Sequence, residues 1–316
     1  MILSTQVPVK KQVHHQIDYT SKLLLLGSCF SENIGEKLNY FKFQTTQNTF
    51  GILFHPKAIE NLITNAINEK TYTEDDIFFH NERWHCFEAH SSLSNTNKDE
   101  FIDNLNKNIN STLNQLKEAS HLIITLGTSW VYREITTDTI VANCHKIPQK
   151  KFLKELLSVD EITASLEAIN ALVKSINKNI AITYTVSPVR HIKDGFTENQ
   201  QSKSHLIAAI HQIKEARKNI FYFPSYEIMM DELRDYRFYA TDMIHPNETA
   251  ITYIWEKFIA TWFSDNCFQT MKTVDTIQKG LQHRSFNPNS EAHQAFLKNL
   301  EQKKETLLKA FPFMKF

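Results

Sequence analysis

Five short apolar runs punctuate the chain, at 22–27 (KLLLLG), 41–47 (FKFQTTQ), 121–127 (HLIITLG), 180–187 (IAITYTVS) and 220–223 (IFYF). Four are continuous or nearly so, the pattern of strands covered on both faces. The second alternates more and reads as an edge strand. Between them lie helical patterns. Ile34 and Leu38 stand four apart within 31–40. Ile59, Ile63, Ala66 and Ile67 share one side of 57–68. Phe101, Leu105, Ile109, Thr112, Leu113 and Leu116 recur at helical spacing, and 159–176 and 201–216 behave alike. This alternation predicts an α/β fold, a doubly wound five-stranded parallel sheet. Such sheets bind ligands beyond the carboxyl ends of their strands, at the topological switch point.

Two stretches depart from the alternation. Residues 76–93 read as an inserted β-hairpin turning near Asn81 and Glu82. After His245 a strongly amphipathic helix follows, with Asn247 as N-cap and Ala250, Ile254, Phe258 and Trp262 as its stripe. From 266 to 316 the chain is polar and helical. The organisation expected is one domain over 1–265, carrying the hairpin, and a C-terminal helical appendage over 266–316. The closing apolar hexapeptide, 311–316, either docks on this domain or marks a partner surface.

Composition narrows the function. The 316 residues are 41% hydrophobic, enough for one large core. Thirty-five basic residues balance thirty-five acidic ones, which argues against a nucleic-acid partner. Only six glycines and eight prolines occur, fewer than an all-β sandwich or a disordered chain carries. Cys29, Cys86, Cys144 and Cys267 are far apart and form no CxxC pair, so no zinc knuckle or disulfide scaffold is signalled. His80, His85 and His90 are spaced by five, which gives no clean face on strand or helix, so no metal site is expected. No cofactor is called for. No run has the length of a signal peptide core or a membrane span, and a soluble, reduced, cytoplasmic protein is the expectation.

Two distant places carry chemistry. The first is Gly27-Ser28-Cys29, where an apolar strand runs into a helix. A nucleophile there sits at a helix N-terminus, whose free N–H groups and dipole favour a thiolate or a developing oxyanion. The second is Asp242-Met243-Ile244-His245-Pro246. An Asp and a His three apart in one loop can pair, the acid fixing the tautomer and aiming the imidazole. Each motif alone is more often a tight turn or a cap. Together, on this strand–helix order, they point to an enzyme with His245 as general base.

The stretch Gly27-Ser28-Cys29-Phe30-Ser31 resembles the signature of the GSCFA family, within the SGNH-hydrolase superfamily. The resemblance runs from Leu23 to about Trp262. It takes in Asn48-Thr49-Phe50-Gly51, Thr125 to Trp130, Ser187-Pro188-Val189-Arg190-His191, Asn199 to Lys203, and Asp242 to Pro246. It implies a flavodoxin-like sheet, a nucleophile after the first strand and an Asp-x-x-His near the end. SGNH enzymes usually show Gly-Asp-Ser in the first block. Read without a gap, Cys29 is the nucleophile, and a turn rotated by one residue presents Ser28 instead. A helix N-terminus and a neighbouring His lower a thiol's pKa. The resemblance also implies an oxyanion hole from the nucleophile's own N–H and Gly51. Ser129 stands where an Asn is usual, and Asn48 is a substitute amide.

Further residues are expected to line the pocket. Trp130 and Arg133 follow the third strand, His145 lies in a polar loop cluster, and Arg190 and His191 follow the fourth strand. The function implied is an esterase or O-acyltransferase acting through an acyl-enzyme on a small-molecule, glycan or lipid ester. The alternatives are a ligand-binding protein on a weakened SGNH scaffold and, more remotely, a thiol-redox protein using Cys29.

Overall fold

The computed structural model describes residues 5–216 and 219–316. β1 (Lys22–Gly27) leads into α1 (Cys29–Tyr40), then β2 (Gln44–Gln47) and α2 (Pro56–Ile67). A hairpin of β3 (Phe78–His80) and β4 (Arg83–His85) precedes α3 (Lys98–Glu118) and β5 (His121–Leu126). β6 (Trp130–Glu134), β7 (Thr139–Val141) and β8 (Phe152–Leu156) come next, then α4 (Val159–Ile176), β9 (Ala181–Val186), α5 (Phe196–Ala216) and β10 (Ile220–Phe223). A single-turn α6 (Ser225–Glu227), α7 (Glu248–Trp262), α8 (Cys267–Gln282) and α9 (Glu291–Ala310) complete the chain.

The main sheet has the order β10-β9-β5-β1-β2, and every pairing in it is parallel. Its strands therefore run 2-1-3-4-5, and the strand order reverses between β1 and β5. Successive residues of β1 face opposite layers, as the two-residue strand period demands. Leu24 and Leu26 join the core under α2 to α5, and Leu23 and Leu25 join the core under α1, α7 and α8. β2 is half-buried along its length and has one strand neighbour, so the alternating run at 41–47 is indeed an edge.

The hairpin turns at Asn81 and Glu82, both with positive φ. Two successive left-handed residues make the tight turn whose twist suits antiparallel strands. A second insertion escaped the sequence pattern. β7, β6 and β8 form an antiparallel sheet over 130–156, in which Trp130 and Arg133 are strand residues. In α7, Ala250, Ile254, Phe258 and Trp262 face inward, and the Asn247 side chain caps the helix by accepting from the Ala250 N–H at 3.1 Å. The C-terminal helices are not a separate body. Met271, Val274 and Ile277 of α8, Leu300 and Leu307 of α9, and Met314 share one apolar cluster with Leu23, Ile34 and Trp262. No helix among the described residues is long and apolar enough to cross a membrane.

Imidazoles held well below their ordinary value make the fold acid-sensitive. Burial pushes His55 and His145 down to about 4 and His191 down to about 3. Their folded values lie below the ordinary value of about 6.5. The unfolded chain therefore binds more protons below that value, and stability falls as pH drops from there toward the folded values. Unfolding near pH ~5 should take up at least about three protons, His85, His90 and His121 being lowered as well. Calorimetric unfolding in buffers of different ionisation enthalpy measures that uptake, and a value under about one proton contradicts the assignment.

Candidate active site

Gly27 closes β1 with φ 137, and its N–H donates to the Asn48 side-chain carbonyl at 2.9 Å. A Cβ built there would lie 2.2 Å from the Thr125 carbonyl oxygen, so the tight passage from strand to helix needs glycine. Ser28 follows as the N-cap of α1. Its N–H donates to Thr125 O at 3.0 Å and its hydroxyl accepts from the Phe30 N–H at 3.3 Å. Ser28 is only 1% exposed. The adjacent Cys29 opens α1 and is half-buried. The sequence left Ser28 and Cys29 open as nucleophile. The fold gives the first a capping role and the second partial access.

The thiol departs from expectation in one respect. Burial raises the Cys29 pKa, the Glu32 carboxylate raises it further, and Lys203 with the N–H groups of Cys29 and Phe30 opposes them. The net direction is upward, so the helix terminus does not by itself make a thiolate.

At the same edge, the loop before α7 carries Asp242 and His245. Asp242 Oδ1 accepts from the N–H of Ile244 at 2.9 Å and of His245 at 3.0 Å. Its Oδ2 lies 2.7 Å from His245 Nδ1. These bonds hold the carboxyl down at about 2, the main-chain donors contributing most. With Nδ1–H on the carboxylate, Nε2 is the acceptor. Both side chains are nearly half exposed. A main-chain bond from Arg190 N to Ile244 O at 3.2 Å ties this loop to the segment leaving β9. Because the sheet is parallel, the turn after β1 and the segment after β9 emerge at one edge.

The most unusual residue between them is Lys203, on α5. It is 0% exposed, and its Nζ donates to Gly127 O and to Ser187 O, both at 2.7 Å. Those carbonyls lie one residue past the ends of β5 and β9. Burial pushes the ammonium down to about 7, and the Cys29 thiol opposes the shift. His191 lies beyond it, its Nε2 buried without a hydrogen-bond partner, and the positive charges of Lys203 and His245 add to its depression. The sequence reading quoted Lys203 within a motif and gave it no role. Its signal was positional: Asn199, Lys203, Leu206 and Ile210 recur at helical spacing, so the lysine falls on the buried stripe of α5.

Other sequence candidates have different occupations. The Gly51 N–H donates to Asn48 O at 2.7 Å within a turn, and Asn48 places its carbonyl on Gly27 and its amide 3.5 Å from Glu32. Ser129 is fully buried and bonds through both its N–H and its hydroxyl to Ser202 on α5. In this structure these groups bond within and between the loops. Arg133 pairs through two bonds with Glu155, at 2.8 and 3.0 Å, and lines a separate cleft with Lys57 and Glu60. His145 is buried against His85, ring centroids 4.6 Å apart, with Nε2 on Cys86 O at 2.7 Å. It does share a cavity of about 330 Å³ with Trp130, Phe54 and Phe152. Trp130 Nε1 donates to Glu198 O at 3.3 Å. The Arg190 guanidinium rests on the Tyr239 ring, 4.2 Å from its centroid, rather than pairing with Asp194, which bonds Lys154.

The fold and this edge define a doubly wound α/β protein with a half-buried cysteine at its switch point and an acid–imidazole pair in a late loop. A family model described as the GSCFA family matches residues 22–258, and one described as the GSCFA domain protein, C-terminal domain, matches residues 274–316. The chain belongs to the GSCFA family. A search of curated proteins returns no match.

Proposed function

We propose that the protein cleaves or transfers carbon–oxygen esters through an acyl-thioester on Cys29, as its resemblance to SGNH hydrolases implies. The observation that carries the reading is the solvent-open Asp242–His245 pair on the sheet edge where Cys29 opens α1. Because the thiol is held up, it rests as S–H and needs a base. The Cys29 proton passes to His245 Nε2 as sulfur bonds the acyl carbon. The ester C–O bond then breaks, and the departing alkoxide takes the proton back from Nε2. Water or an alcohol repeats these steps in reverse, giving an acid or a new ester. The Cys29 N–H at the start of α1 is the donor for the oxyanion. Substrates of this kind include glycan and lipid esters.

A second reading has its own support. The committed N–H of Gly51 and hydroxyl of Ser129 leave few donors for an oxyanion, which favours a binding protein that turns esters over weakly.

Short-chain nitrophenyl esters separate these readings when offered to the wild type, Cys29→Ala and Ser28→Ala. Cys29→Ala is expected to abolish turnover. Ser28→Ala is expected to retain it while losing about 1 kcal/mol of stability with the helix cap. Turnover that survives Cys29→Ala and vanishes in Ser28→Ala overturns the assignment.

A further inference from the structure

Arg190 stands in the segment leaving β9, and its main chain is bonded to the acid–imidazole loop: the Arg190 N–H donates to Ile244 O, one residue before His245, at 3.2 Å. Its guanidinium lies over two tyrosines, 4.2 Å from the Tyr239 ring centroid and 5.5 Å from that of Tyr236. Tyr239 belongs to the same loop. It bridges to Pro246, and the Ala240 N–H that follows donates to His245 O at 2.7 Å. The cation therefore rests on a ring whose main chain is paired with His245 and Pro246. Stacking occupies the face of a guanidinium and leaves its N–H edge for an acceptor in its plane. No carboxylate among the described residues forms an ion pair with Arg190. Asp194, the acid nearest in the chain, pairs with Lys154. Asp235, the acid nearest in space, accepts from the Arg237 N–H at 2.9 Å, and its other oxygen lies 3.8 Å from Arg237 Nε. A cavity of about 190 Å³ lies beside the fork, lined by both tyrosines, Asp235 and a second guanidinium, that of Arg234. It is smaller than the ~300 Å³ at which sites for whole ligands begin, and suits one charged group. An oriented guanidinium with an open N–H edge recognises planar or tetrahedral oxyanions through paired hydrogen bonds.

We propose that Arg190 is the anion-binding residue of a subsite beside His245, and that the natural ester carries an oxyanion group, a carboxylate or a phosphate, which docks there. The substrate class rests on the ester reading, with His245 at the reacting centre. The anion site itself rests on the stacked, unpaired fork and the loop that holds it. Asp235 supplies the one negative charge lining the cavity, and its bonds to Arg237 keep it on its own turn.

Binding is measured by titration calorimetry of the full chain with inorganic phosphate, with succinate, and with neutral succinamide. The wild type is expected to bind one or both anions and not succinamide, and the anion preferred identifies the group. Arg190→Gln is expected to weaken that binding about tenfold or more. Arg190→Lys should recover part of it, keeping the charge without the fork. A wild type that binds neither anion, or binds succinamide as well as succinate, overturns the proposal, as does Arg190→Gln with undiminished affinity. Should Arg190→Gln not fold, the wild type still decides. Phenylglyoxal should label the Arg190 peptide, read by mass spectrometry, and the bound anion should slow that labelling while succinamide does not. No labelling in the free protein, or labelling that neither anion slows, overturns the open fork. None of these readouts needs turnover. A protein that binds an anion at Arg190 and cleaves no ester keeps the site and loses the acyl-transfer reading. One that cleaves neutral esters and binds neither anion does the reverse.

Discussion

Ester turnover is expected to fall by about 10²- to 10⁴-fold when His245 becomes alanine, the range a positioned general base supplies. The reason lies in one short loop. Asp242 accepts three hydrogen bonds from it, two from main-chain N–H groups and one from the imidazole. The carboxylate therefore fixes the ring through Nδ1 and leaves Nε2 as the acceptor that the proposed mechanism uses. Asp242→Asn should cost a comparable factor by a different route. The amide can still accept from the main chain, but its NH₂ turned toward Nδ1 favours the wrong tautomer. The loss should be larger for an alkyl ester than for a nitrophenyl ester, because the alkoxide needs the proton that Nε2 returns. Since Asp242 is held at about 2, the acid limb of the pH–rate profile does not report its protonation. Steady-state kinetics on both ester types measure these effects. Equal rates in wild type and His245→Ala would remove the imidazole from the mechanism.

The largest effect on stability is expected at Gly27. Its φ of 137 lies where side chains are strained, and an added Cβ meets main-chain atoms of Thr125 at 2.2 to 2.8 Å. Backbone cannot rotate away as a side chain can. Relief requires β1 and β5 to part at the point where the Ser28 N–H bonds Thr125 O. Gly27→Ala is expected to cost about 3 kcal/mol or more, from strain together with the lost strand contact. Chemical denaturation measures the loss. A change below about 0.5 kcal/mol, the range of ordinary surface substitutions, contradicts the described turn.

Much of the scaffold was legible because buried parallel strands advertise themselves. The runs at 22–27 and 220–223 coincide with β1 and β10, and 159–176 coincides with α4. The hairpin turn at Asn81 and Glu82 was readable for the same local reason, since polar residues at a tight turn tolerate left-handed backbone. The sheet of β6, β7 and β8 was not. Its strands are short and partly exposed, β6 and β8 carry charged residues, and their pairing closes across a long loop that local pattern cannot see. That is why the pairing of Arg133 with Glu155 could not be read from the sequence.

The candidate site shows the same division. Which residues lie near the carboxyl edge followed from strand order. Which of their polar atoms are free did not, because that depends on contacts between distant segments. The Gly51 N–H bonds Asn48 O, the Asn48 amide lies 3.5 Å from Glu32, and the Ser129 hydroxyl bonds Ser202 O. Lys203 went unassigned because a lysine in a polar helical stretch ordinarily reaches solvent. The packing of α5 across the ends of β5 and β9 shows it buried, with Nζ on the Gly127 and Ser187 carbonyls.

The most direct measurement is to quench the protein during turnover of a nitrophenyl ester and map the acylated peptide. An acyl group on the sulfur of Cys29, lost when Cys29 becomes alanine, is the result expected from a nucleophile at the head of α1. Label on Ser28 instead, or turnover with no covalent adduct on either side chain, would contradict it.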